Sequence, residues 1–175
     1  MFFKNILYFL ITSFFISSIL FAASNNNKTE GQYEKDHNDA KANKIPIYKQ
    51  AEKIIIKAKK NERKGKAEKA QKLYRKAYSK LIEANRDEPI NSDILNYLGF
   101  TSGKLGNLED AEIYYLIGLE INPEHRGINE NLGDFYVITK RIDLANERLE
   151  ILKNCNCEEY NKLKEVIEGT KKIKY

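Results

Sequence analysis

The sequence predicts an all-α protein in which helical hairpins stack side by side, and three observations predict it. The chain matches itself at an offset of 34 residues: Ile94 falls on Ile128, Leu98 on Leu132, Gly99 on Gly133, Leu108 on Ile142, Ala111 on Ala145, Tyr115 on Leu149 and Ile117 on Ile151. Large apolar residues recur at helical spacing inside each unit, and a turn splits each unit into two helical runs. Small residues hold fixed places among bulky ones, as in residues 97–115, YLGFTSGKLGNLEDAEIYY. A fixed period of this length marks an array whose units bury their apolar faces by stacking on their neighbours.

Taken in order, residues 1–24, MFFKNILYFLITSFFISSILFAAS, carry one Lys, an apolar run over 6–21 broken only by Thr and Ser, and a small-residue end at Ala22, Ala23 and Ser24. That order reads as a secretory signal peptide. An uncleaved anchor helix is the alternative, because the run approaches the ~20 residues that span a bilayer. Residues 25–44 are nearly free of aliphatic side chains and mixed in charge. They bury too little apolar surface to offset their ordering entropy and read as a disordered linker.

The folded part is expected over 45–175, with helical pairs at about 48–90, 92–125 and 126–157 and a capping helix at about 158–172. The first pair opens with a helix over 48–63. Its second half supports two registers, one read forward from Gly65 through Ala70, Tyr74 and Ala77, the other backward from Pro89 through Ala84, Leu81 and Ala77. These differ by seven residues, two helical turns, so one longer helix keeps the same face buried. In the second pair the turn is 104–107, with Gly106 suited to ending a helix and Asn107 to capping the next.

The small residues have a packing reason. Gly99 and Ala111 remove side-chain bulk where the two helices cross, Gly118 does so toward the following unit, and Pro123 stops the helix just after Asn122. A Gly inside a helix costs roughly 1 kcal/mol relative to Ala, which close contact must offset. In the last segment Tyr160, Leu163 and Ile167 fall on one side, as a cap over the final pair requires.

Leu98, Gly99, Gly106, Ala111, Tyr115, Gly118 and Pro123, then Leu132, Gly133, Tyr136, Ala145 and Leu149, resemble the tetratricopeptide repeat (TPR) pattern. The chain departs from it at Leu95 and Asn129, where an aromatic is usual, and at Cys157, where the family ends on Pro. The resemblance implies a right-handed α-solenoid of about three TPR hairpins plus the C-terminal capping helix. It also implies a concave side, lined by the first helix of each pair, that binds a peptide or helix of a protein partner. Carried onto this chain, that groove is lined by Asp93, Asn96, Phe100, Lys104, Glu130, Asp134, Val137 and Ile138. Phe100 and Ile138 stand as apolar anchors, with burial against a neighbouring helix as the other reading. The family's Lys/Asn clamp for a C-terminal carboxylate is not matched, and Glu130 and Asp134 suit a basic ligand better. The chain is also similar to small exported bacterial TPR proteins with a C-terminal Cys pair. The resemblance therefore implies a non-enzymatic, periplasmic interaction module of the bacterial cell envelope, with self-association open.

Chemistry is otherwise sparse. His37 and His125 are the two histidines, and neither sits in a metal-ligand spacing. No nucleophile elbow, phosphate-binding loop or dinucleotide fingerprint occurs, so no catalytic residue, cofactor or metal ligand is assigned. The pairs Glu109–Asp110 and Glu158–Glu159 begin helices, where carboxylates meet exposed N–H groups favourably. Cys155 and Cys157 form CNC, not CxxC. In an oxidising compartment they are expected to form a disulfide clip at the turn; a thiol–disulfide or metal-binding pair is the alternative. Residues 44–88 hold 15 Lys or Arg against 6 Asp or Glu, a net of +9, whereas 89–175 hold 11 against 15, a net of −4. The basic 44–86 segment leaves a third reading, a binder of anionic envelope components or nucleic acid, although export argues against nucleic acid. No stable membrane span is expected once the leader is removed.

Overall fold

Seven helices follow one another in the computed structural model, which describes residues 45–172. They are α1 (Ile47–Arg63), α2 (Ala67–Asp87), α3 (Ser92–Lys104), α4 (Leu108–Ile121), α5 (Arg126–Ile138), α6 (Ile142–Leu152) and α7 (Glu158–Ile167). The leader and linker read from the sequence lie outside the described residues. Helices α1/α2, α3/α4 and α5/α6 pack as adjacent pairs, α7 packs on α5 and α6, and no strand occurs among the described residues. The fold is all-α and solenoid-like.

The two registers of the first pair are one helix. α2 runs for 21 residues and buries Ala70, Tyr74, Ala77, Leu81 and Ala84 along a single face, so both sets of small and apolar residues are used. The hairpin turns share a left-handed residue: Gly65 at φ +71°, Gly106 at φ +87° and Lys140 at φ +61°. Lys140 lies 34 residues after Gly106 and holds the same place in the repeat. Asn107 stands at the N-cap position of α4 but makes no side-chain cap bond, which corrects the expectation from sequence. Its backbone N–H instead donates to the Ser102 carbonyl at 2.9 Å, so the turn itself closes the hairpin.

The internal glycines fit where helices meet. A Cβ on Gly99 would stand 2.5 Å from the Tyr115 ring, one on Gly118 2.5 Å from Ile128, and one on Gly133 2.5 Å from Leu163 of α7. The Gly133 position thus seats the capping helix. That helix stops at Ile167, short of the expected 172. Gly169 takes φ +71°, and the N–H groups of Thr170 and Lys171 both donate to the Glu165 carbonyl, at 3.0 and 3.1 Å. Such a left-handed closure satisfies the last carbonyls and ends the helix.

Polar ties cross between helices at a few positions. Glu62 of α1 accepts from the Tyr74 hydroxyl of α2 at 2.9 Å and from Lys104 Nζ of α3 at 3.1 Å. Tyr97 donates to Glu52 at 2.7 Å, joining α3 to α1. Arg141 grips Glu112 with two bonds of 2.7 and 2.9 Å and lies over the Tyr136 ring. Asn129 is fully buried, and its amide donates to the carbonyls of Pro123 and His125 at 3.0 and 3.1 Å. These bonds tie α5 to the loop before it.

Candidate functional site

The first helices of all three pairs, together with α7, open onto one cavity of about 390 Å³. α1 presents Lys59, Glu62 and Arg63; α3 presents Phe100 and Lys104; α5 presents Glu130, Asn131, Asp134 and Ile138; Lys162 of α7 and Lys171 beyond it complete the wall. The helical repeat explains the set. On α5, positions 130, 134 and 138 recur every four residues and so stay on one face.

Five of the eight residues expected in the groove line this cavity: Phe100, Lys104, Glu130, Asp134 and Ile138. The other three lie elsewhere. Asp93 is exposed and pairs with His125 Nε2 at 3.2 Å. Asn96 is buried and accepts from Asn131 Nδ2 at 2.9 Å. Val137 packs against the core cluster around Leu132 and Tyr136. Phe100 lines the cavity but is only 8% exposed.

Sequence reasoning missed Lys59, Glu62, Arg63, Asn131, Lys162 and Lys171. A signal for the α1 residues was present. The left-handed turn glycines Gly65 and Gly106 are 41 residues apart, and stepping back by that amount takes Phe100 to Lys59 and Lys104 to Arg63. His125 was also passed over: its Nδ1 caps α5 by accepting from the Ile128 N–H at 3.1 Å.

The charges are unevenly satisfied. Lys104 pairs with Glu62 at 3.1 Å and Lys162 with Glu158 at 3.2 Å. Lys59 Nζ sits 4.2 Å from the Phe100 ring centroid. Its side chain as a whole is exposed, but its charged end lies against protein, and burial lowers its pKa. Burial also raises the Glu130 carboxyl above its ordinary range. Burial, with Glu130 beside it, pushes Asp134 up to about 7. Asp134 Oδ1 is buried with no hydrogen-bond partner.

Two other surfaces stand out. A groove of about 530 Å³ on the first pair is lined by Lys53, Lys57, Lys60, Lys64, Lys66 and Lys69 with Asn61 and Ile56, the last 59% exposed. α4 leaves Ile113, Leu116, Ile117 and Ile121 exposed. Cys155 and Cys157 are joined in a disulfide across the turn from α6 to α7, with Cα atoms 5.1 Å apart. Among the described residues no group of three or more His, Cys, Asp or Glu is placed to hold a metal, and no helix is long and apolar enough to cross a membrane. Neither a family model nor a curated protein matches the chain.

Proposed function

We propose that the chain is a TPR-type interaction module of the bacterial cell envelope that binds a peptide or helix of a partner protein in the cavity, without catalysing a reaction. The observation that carries this reading is the convergence of α1, α3, α5 and α7 on one cavity, walled on α5 by Glu130 and Asp134, whose carboxyls burial raises. Carboxyls desolvated in this way are costly to ionise without a partner, and a polar group entering the cavity beside them offsets part of that cost. The apolar leader and small-residue junction in the sequence support export. Photo-crosslinking from position 138 in native envelopes, with mass identification of what is captured, tests the reading. A defined protein partner is expected, and recovery of nothing but polyanions overturns it.

The lysine groove favours a second reading, an attachment to anionic polymers or headgroups through α1 and the start of α2. Six lysines in one groove attract such a surface by charge, and that attraction is strongly screened by salt. On this reading, affinity falls steeply with salt and ignores substitution at Ile138.

A further inference from the structure

We propose that the occupant of the cavity is anchored by a basic side chain, an arginine or lysine of the partner, which pairs with Glu130 and Asp134 and displaces the Lys59 ammonium from the Phe100 ring. The inference rests on the reading of the cavity as a partner site and names the chemistry recognised there.

The cavity holds more cations than carboxylates, yet the groups in need of a partner are the carboxylates. Lys104 and Lys162 already carry ion pairs of their own, at 3.1 and 3.2 Å. Arg63 and Lys171 are exposed at the rim, where water solvates them at little cost. Glu130 and Asp134 are partly buried one helical turn apart on α5, and both carboxyls are raised chiefly by burial. Two neighbouring carboxylates accept a planar guanidinium, or a single ammonium, through charge-assisted hydrogen bonds. Phe100 adds a ring face to which a cation is attracted; Lys59 lies nearest to it at 4.2 Å, and Lys104, held in its pair with Glu62, stands farther off at 5.7 Å. Lys59 belongs to the chain itself and has a long, flexible stem, so it can withdraw to water when a better-paired cation enters. The resident lysine is thus a stand-in for the ligand.

The groups facing Asp134 set the pH response: Lys59 and Glu62 from α1, Lys104 from α3, Glu130 on its own helix, Lys162 from α7 and Lys171 beyond it. Ionised Asp134 binds a cation and protonated Asp134 does not, so affinity for a basic ligand rises as pH rises through about 7.

The test titrates two capped tripeptides, Ala-Arg-Ala and Ala-Glu-Ala, into the isotope-labelled full-length chain at low salt, read by amide shifts over residues 130–138. The arginine peptide is expected to bind more tightly than the glutamate peptide, and more tightly at pH 8 than at pH 6. Asp134→Asn keeps the side-chain shape and removes the ionisable group, its fold checked by unchanged amide shifts away from residues 130–138; at pH 8 it is expected to weaken the arginine peptide about tenfold, the loss typical of one charge-assisted bond. Lys59→Met is expected to tighten it. A preference for the glutamate peptide, no effect of Asp134→Asn, or weaker binding by Lys59→Met overturns the inference. If crosslinking from position 138 still captures a partner in that event, only the basic anchor is lost. If the arginine peptide binds as described and no partner is captured, the anchor stands and the partner reading fails.

Discussion

Gly99 and Tyr115 occupy one shared space: the tyrosine ring is fully buried, and a Cβ on the glycine would stand 2.5 Å from it. This contact joins α3 to α4 and explains why a helix tolerates Gly there. An ordinary Gly to Ala change in a helix gains roughly 1 kcal/mol. Gly99→Ala is expected to lose about 1–3 kcal/mol instead, because the ring has no space to retreat into. Denaturant unfolding checks the sign. A variant that also carries Tyr115→Leu should recover part of the loss, since the two changes act on the same contact.

Lys140 offers the opposite case. It takes φ +61° where the preceding turn uses Gly106 at φ +87°. A left-handed residue with a Cβ costs roughly 1–2 kcal/mol, and the extra chain entropy of Gly takes back about 0.5–1 kcal/mol. Lys140→Gly is therefore expected to stabilise the chain slightly, and thermal unfolding should show a small upward shift of the midpoint.

Glu62 is a joint between three helices. It accepts from Tyr74 at 2.9 Å and from Lys104 at 3.1 Å, and the Lys104 side chain is only 9% exposed. Glu62→Ala is expected to cost about 1–3 kcal/mol, with Tyr74→Phe costing less because a single neutral donor is lost. Unfolding curves of the two variants give the order directly.

Asp134 should make stability depend on pH. Its carboxyl rises from an ordinary 3.8 to about 7 in the folded chain, so between those values the native state holds a proton that the unfolded state does not. Stability from this group therefore falls as pH rises from about 4 to about 7 and is flat above. Asp134→Asn is expected to stabilise the protein at pH 8 and to have much less effect at pH 4, measured as unfolding midpoints of both chains across that range.

The fold was legible because its cause repeats. Gly99, Gly118 and Gly133 each answer a bulky neighbour, and the period of 34 residues brings Gly99 and Gly133 into register in the sequence itself. The end of α7 was set too late although its signal was present: the apolar spacing stops at Ile167, where the helix ends, and Gly169 takes the left-handed stop that Gly106 takes after α3. The cavity was half legible. Its α3 and α5 residues follow the repeat, but the first pair has a longer spacing, 41 residues between Gly65 and Gly106, which hid Lys59 and Arg63. Asn96 was misplaced for another reason. It lies on the cavity side by helical spacing, yet its amide turns to Asn131 and is buried in that bond. Periodicity places a residue on a face and does not say which side chains there will satisfy one another.

The central claim is that a partner docks where the first helices meet and not on the exposed residues of α4. Capture of the crosslinked partner by three chains tests it most directly: the unaltered chain, Ile138→Arg, which fills the cavity, and Ile117→Arg, which alters an exposed residue of α4. With all three shown to be helical and folded, Ile138→Arg is expected to lose the partner and Ile117→Arg to keep it. Retention by Ile138→Arg together with loss by Ile117→Arg would contradict the account.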